Sequence, residues 1–233
     1  SDLTFMRLSD RAYTELKQLI LSKGFGEEVL SERALAAILK MSRMPVREAV
    51  KALENEGLLI VLPRRGIYVR RLSVDQVREL YEVRQAIEGM AAYLCATGKR
   101  RAEIGAYRRR LEQQLRRKGK IDLAKIQKES SAFHRAIFEL CGNARLLELY
   151  RSIEPQIDLN LRLTAVHAPN RVKQALYEHL QIAKAIEAGE GARAERLTRQ
   201  HLEHGKIARI QLLRHKDPGK RNSGAAPRSR RAR

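Results

Sequence analysis

Apolar residues recur three and four positions apart through most of the chain, and the breaks in that rhythm divide it into elements. Ala12, Leu16, Leu19 and Ile20 space a first helix over Asp10–Ser22, and the KGFGEE turn follows, with Gly24 and Gly26 as breakers. Ser31 is suited to N-cap a helix running to about Leu39, with Ala34, Leu35 and Ile38 as its buried stripe. Lys40-Met41 makes a short turn. Ser42 caps the next helix, Pro45 lies in its first turn where no backbone donor is needed, and Gly57 stops it after Glu56. Two short helices joined by a tight turn are a helix-turn-helix. The pattern then becomes β-prone over Leu59–Leu62 and Ile67–Arg71. The turn sequence Pro63-Arg64-Arg65-Gly66 between them predicts a hairpin with two Arg at its tip, a wing.

Beyond this point the rhythm is helical almost throughout. Ser73 N-caps a long helix that ends at Gly98, and further helices are predicted at about Ala102–Lys118, Leu123–Cys141, Arg145–Ile153, Gln156–Thr164, Asn170–Ala188 and Gly191–Leu213. Turns fall at Gly119, Gly142-Asn143, Pro155, Pro169 and Gly189, and no internal repeat is present. The expected fold class is mainly α: an N-terminal winged helix-turn-helix over residues 1–71, then an all-α bundle of six or seven helices over residues 72–213. Residues 214–233, rich in Gly, Pro, Ser and Ala, read as a basic disordered tail.

Charge sharpens this picture. The 233 residues carry a formal net charge of +20, which favours a polyanionic partner. Arg214–Arg233 holds eight Lys/Arg against one Asp, or +7, read either as a solubilising tail or as extra phosphate contacts. Aromatics are only 5% and Trp is absent, which argues against a base-stacking platform for single strands. Cys95 and Cys141 are isolated, with no CxxC pair, so a reducing compartment is the simpler reading. Asp2, Arg7, Asp10 and Arg11 interrupt any signal-peptide pattern, and no apolar run approaches transmembrane length. A cytoplasmic protein without a membrane partner is expected.

The second helix of the pair carries the chemistry. Val46, Ala49, Val50 and Leu53 form one buried face, and Arg43, Arg47 and Lys51 line a flank outside it at steps of roughly 6 Å. Such a flank suits major-groove entry, where Arg donates two hydrogen bonds to guanine or clamps a phosphate. Each cation alone is as well read as a solvated surface charge; the set, with a two-Arg wing, points to double-stranded DNA.

The run SERALAAILKMSRMPVREAVKALENEGLL, followed by PRRGIYV, closely resembles the GntR superfamily of bacterial transcription regulators over about the first seventy residues. The resemblance implies that Arg33, Ser42, Arg43, Pro45, Arg47, Lys51, Arg65 and Gly66 form the DNA-binding set, with Gly66 letting the wing tip approach the minor groove. VRQAIEG (Val83–Gly89), AFHRAIFELCGN (Ala132–Asn143), EHLQIAKAIEAGE (Glu178–Glu190) and His201-Leu202 resemble, more diffusely, the ligand-sensing domain of the FadR-like branch, called an FCD-type domain. Many members of that branch bind a divalent metal through one Asp and three His. Here the His positions match His134, His179 and His201, but the Asp position is Ser130. A hydroxyl is a poor ligand for a divalent cation, and Glu129 sits about 100° around the helix, so it is a poor substitute. His167 and His204 do not match the pattern. Three readings stay open: a three-His site for Zn or Ni rather than Mg or Mn, completed by water or an acidic effector; a polar pocket without metal; or unrelated histidines. Arg84 matches a family position that faces the effector, and is equally well read as a surface ion pair with Glu88.

The expected function is a homodimeric, ligand-responsive transcription regulator, whether repressor or activator, that binds a palindromic operator. Its affinity would be modulated by a small organic acid held near Arg84 and Ser130. Two rivals are a metal-dependent hydrolase using the three His, for which no nucleophile–base constellation or HExxH helix is visible, and a constitutive DNA-architectural protein, which leaves the helical domain without a use.

Overall fold

A computed structural model describes residues 7–23, 28–116, 123–167 and 169–216. Helices α1 (Leu8–Lys23), α2 (Glu32–Leu39) and α3 (Arg43–Asn55) precede strands β1 (Leu59–Leu62) and β2 (Gly66–Val69). Then come α4 (Val74–Thr97), a 3-10 turn at Arg101–Ile104, α5 (Gly105–Arg116), α6 (Leu123–Leu140), α7 (Ala144–His167), α8 (Pro169–Glu187) and α9 (Gly191–Lys216). This is the expected mainly α architecture, a winged helix-turn-helix followed by a helical domain.

Local chemistry sets the ends of the reading head's helices. Ser31 Oγ accepts from the Ala34 amide at 3.1 Å and opens α2. Lys40 closes it in the left-handed region at φ 52°, while the Met41 amide donates to Ala36 O. Gly57, at φ 72°, turns the chain out of α3 as the Leu58 amide donates to Leu53 O at 2.9 Å, and the next residue begins β1. The buried stripe of α2 is Leu35, Ala36 and Leu39, whereas Ile38 is 49% exposed. The expected stripe is therefore rotated, because α2 meets α1 and α3 on the side of Leu35 and Leu39.

The hairpin pairs antiparallel with Leu59 opposite Val69 and Leu62 opposite Gly66. A third segment, absent from the sequence reading, joins it: Leu30 and Ile67 exchange backbone hydrogen bonds of 2.8 and 2.9 Å. A single bridged residue has no period to register as a pattern. Ala12, Leu16, Ile20, Leu35, Val46, Leu53, Leu58 and Ile67 close the core of this unit, and Leu159 of α7 packs into the same cluster.

In the helical domain Ser73 and Gln76 form a reciprocal capping box at the start of α4, and α9 runs along α4. The core between them and α5–α8 includes Cys95, Phe133, Phe138, Tyr150, Ile182 and Ile186, with Phe138 stacked on Tyr150 at 4.3 Å between ring centroids. Cys95 and Cys141 are free and buried, and burial pushes the Cys95 thiol up to about 12, so it stays protonated. Pro155 does not divide two helices as expected: it is buried inside the continuous α7, whose two halves are both held by packing. The segment before α5 begins as a 3-10 turn, and β2 ends at Val69 rather than Arg71. The tail expected from residue 214 starts inside α9, which reaches Lys216. Its residues 217–233, the Gly24–Gly26 turn and the turn at Gly119 lie outside the described residues.

Gly66 has φ 106°, and a Cβ there would overlap the Val29 side chain and come within 2.9 Å of Leu30 O. Gly66→Ala is therefore expected to destabilise the wing by about 1–3 kcal/mol. Urea denaturation checks this; an unchanged midpoint would show that the wing does not depend on that backbone conformation.

Candidate functional site

The reading surface follows from the amphipathicity of α3. Val46, Ala49, Val50 and Leu53 are buried, which leaves Arg43, Arg47 and Lys51 exposed on the outer side. Arg33 on α2 and Arg65 at the wing tip are exposed too. Arg47 Nε lies 3.9 Å from Glu32 Oε1, a long and solvated pair that holds the guanidinium weakly. Ser42 N-caps α3 by backbone conformation alone: its hydroxyl makes no cap hydrogen bond and is exposed. Pro45, one of the residues expected to contact DNA, is buried in the first turn of α3, where its missing donor costs nothing. Gly66 is half-buried, and the space its missing Cβ opens is filled by Val29 and Leu30.

The helical domain encloses a cavity of about 70 Å³ walled by Tyr81, Arg84, Ser130, Arg171, Leu176 and the three histidines. His134 comes from α6, His179 from α8 and His201 from α9, and all three are buried. His179 Nε2 lies 3.1 Å from His134 Nε2 and 3.1 Å from His201 Nε2. A neutral ring nitrogen carries either a proton or a lone pair, so one atom facing two like neighbours is poorly satisfied by hydrogen bonds alone. The separations are close to the roughly 3.4 Å between two tetrahedral ligands at zinc–nitrogen bonding distance.

The far sides of the rings are backed by carboxylates. His134 Nδ1 lies 2.6 Å from Glu88 Oε2, at ion-pair distance but without hydrogen-bond alignment, and His201 Nδ1 is hydrogen-bonded to Glu178 Oε2 at 2.7 Å. A carboxylate behind an imidazole fixes the tautomer whose Nε2 lone pair faces inward, as at histidine metal sites. His179 Nδ1 is buried without a hydrogen-bond partner among the described residues. Burial, then the neighbouring cationic and imidazole groups, push His179 and His201 well below the ordinary histidine range, so both are neutral and able to ligate. The donor set thus fits a divalent cation that prefers nitrogen.

Arg84 makes the ion pair with Glu88, at 2.5 Å, but both side chains are 2% exposed, so the pair is buried rather than on the surface. Burial pushes the Glu88 carboxyl up, yet Arg84 and His134 outweigh that and hold it at about 2. The Arg84 guanidinium also lies over Tyr81 at 4.8 Å. It borders the cavity with its Nε already committed. Arg171, which sequence reasoning missed, offers more: Nη2 donates to Glu178 Oε2 at 2.7 Å and to His201 O at 3.1 Å, while Nη1 is buried without a partner. One arginine among 47 Lys/Arg carries no sequence signal of its own. The Glu178-His179 adjacency and the Arg84–Glu88 spacing were the available hints. Ser130 borders the cavity, whereas Glu129 borders a different one, beside Tyr107 and Phe133.

These features define a class: a DNA-reading winged helix-turn-helix joined to a helical domain with a polar-centred cavity. The bacterial regulatory proteins of the gntR family match residues 8–69 and the FCD domain matches residues 79–204. The chain belongs to the GntR regulators that carry an FCD domain, and it is a DNA-binding transcription regulator, not an enzyme. It is 28% identical over 177 residues to the HTH-type transcriptional repressor RspR of Escherichia coli K12, covering 75% of this chain and 76% of that one. It is 35% identical over 130 residues to the Nta operon transcriptional regulator of Aminobacter aminovorans, covering 56% and 61%. A GntR-type protein from Rhodococcus sp. RHA1 superposes with a TM-score of 0.69 at 25% identity, covering 87% of this chain and 97% of that one. Escherichia coli McbR/YncC shares the fold at the same TM-score of 0.69, with 22% identity over 91% and 99% of the two chains. Among the described residues no helix is long and apolar enough to cross a membrane.

Removing Glu88 would strand the buried Arg84 charge. Glu88→Gln is expected to cost about 3–5 kcal/mol, and the apolar double variant Arg84→Met/Glu88→Leu much less. Denaturant midpoints of the two variants test this; a single variant as stable as the wild type would remove the pair from any structural role.

Proposed function

We propose that the chain acts as a homodimer that binds an inverted-repeat operator, and that a small organic acid in the helical cavity adjusts its affinity. The convergence of three buried histidines beside an unpartnered arginine nitrogen is the observation that carries the sensor half of this reading. One reading helix per chain makes few base contacts, and two-fold protein symmetry then matches a palindromic site. Arg43, Arg47 and Lys51 enter the major groove, with Arg33, Ser42 and Arg65 on the flanking backbone. Residues 1–71 serve as the reader and 72–213 as sensor and dimerisation domain. The protein works in the cytoplasm, where its DNA is.

In the cavity, His134, His179 and His201 would hold a divalent metal, Zn or Ni before Mg or Mn, since the set is all nitrogen and Ser130 supplies no carboxylate. Such an ion would supply a Lewis-acidic position suited to a carboxylate. Arg171 Nη1 gives the acid a second, charge-assisted contact, and Arg84, balanced by Glu88, gives that wall its shape. Tyr81, Leu176 and Leu202 line the cavity for the apolar part of the ligand. The three ligands come from α6, α8 and α9, so occupancy would tie α6 to the pair that Arg171 and Glu178 already join. The segment Arg70–Ser73 passes the resulting shift to the reading head, with coupling of about 1–3 kcal/mol.

Operator binding measured against a panel of organic acids, with and without Zn, tests the sensor half. One acid that binds and shifts affinity by about 5–150-fold is the expected result, and affinity indifferent to every acid that binds would remove that half. For the reader half, Arg47→Ala is expected to lose about 1–3 kcal/mol of discrimination between operator and random DNA while keeping most salt-dependent binding. Unchanged discrimination would take Arg47 out of base readout.

A further inference from the structure

A second polar cavity lies where the reading head meets the helical domain. Arg70, from the segment after β2, forms one side of it, Gln156 and Asn160 of α7 another, and Arg209 of α9 a third, with Gly57 at the α3 turn. Among the described residues no acidic side chain lines it. Arg209 is only 4% exposed, and its Nε is buried without a hydrogen-bond partner; Arg70 Nε is in the same condition.

The other deeply buried arginines show what is missing. Arg84 leaves water with Glu88 at 2.5 Å, and Arg171 with Glu178 at 2.7 Å. Among the described residues Arg209 has no carboxylate in ion-pair contact. Burial lowers its guanidinium below the ordinary arginine range, Tyr81 opposes that, and Arg71 adds to it. Arginine stays protonated even so, and a buried cation needs a counter-charge.

We propose that this junction binds a small inorganic anion of chloride size, held between Arg209 and Arg70 and joining the reading head to the helical domain. The space, about 10 Å³, leaves no room for a tetrahedral oxyanion, and a single monoatomic ion, larger than water, enters only as the Arg70 and Arg209 side chains move apart. Gln156 brings an amide donor to the same wall. Because Arg70 follows the wing and Arg209 sits on the helix that carries His201, the ion bridges the two units at the point where they meet. The site is separate from the three-histidine cavity and does not depend on the effector reading.

The test uses the full chain with ionic strength held constant by exchanging gluconate for chloride. The Tm of the wild type is expected to rise with the logarithm of chloride concentration, by about 3–6 °C per tenfold once the site is more than half filled. Arg209→Met should flatten that response. Arg171→Met, in the other cavity, and Arg145→Gln, on the open surface, should keep it. Crystals soaked in bromide should give an anomalous peak between Arg70 and Arg209, and this reading stands even if Arg209→Met fails to fold. A wild-type Tm indifferent to chloride, an Arg209→Met response equal to wild type, or a bromide map without a peak at the junction would each overturn the proposal.

Discussion

Arg84 and Glu88 leave water together, one helical turn apart on α4, and the centre of the helical domain is arranged around that pair. Two buried charges persist only if they satisfy one another and their remaining hydrogen-bonding atoms find partners. Glu88 turns one oxygen to Arg84 and the other to His134, and Arg84 lies over Tyr81. The chain of contacts thus runs from α4 to the imidazole of α6. On the opposite side Glu178 repeats the arrangement, joining Arg171, His201 and the more exposed His204. Two carboxylates, each balanced by an arginine, orient two of the three rings from behind. The inward nitrogens of those two rings then meet that of His179, whose own outer nitrogen has no hydrogen-bond partner among the described residues.

This arrangement explains why the cavity sits where it does. Apolar packing among Phe133, Leu176 and Ile182 could close the bundle without any histidine. The polar centre is instead carried by α4, α6, α8 and α9 at once, and α9 continues past His201 to Arg209 at the junction with the reading head. One helix therefore touches both the histidine centre and the junction cavity that Gly57 and Arg70 also line. That continuity, and the packing of Leu159 from α7 into the reading head's own core, give a physical path between the two units.

Much of the fold was legible in the chain because its helices are strongly periodic and sharply punctuated. Ser31, Gly57 and Ser73 act as the caps their chemistry suggests, and the Arg-Arg-Gly turn does form the wing. The failures share a cause: the deciding contact lies far away in sequence. Pro155 reads locally as a break, but packing on both sides keeps α7 whole. The α2 stripe is set by where α1 and α3 press, and the strand contribution of Leu30 exists only through Ile67. At the site, the resemblance brought together His134, His179 and His201, and the structure does place them side by side. The carboxylates behind the rings and Arg171 beside them could be seen only once α4, α6, α8 and α9 had their relative positions.

The most direct measurement is of the histidine centre itself. Metal content of the purified full chain, followed by Zn, Ni and Mn titrations of the wild type and of Ser130→Asp, asks whether three nitrogens suffice and whether the missing carboxylate belongs at residue 130. The account predicts that the wild type binds Zn or Ni and holds Mn poorly, and that Ser130→Asp gains Mn affinity because an oxygen ligand and a negative charge are restored. No bound ion in either variant, or tighter Mn binding by the wild type than by Ser130→Asp, would contradict it.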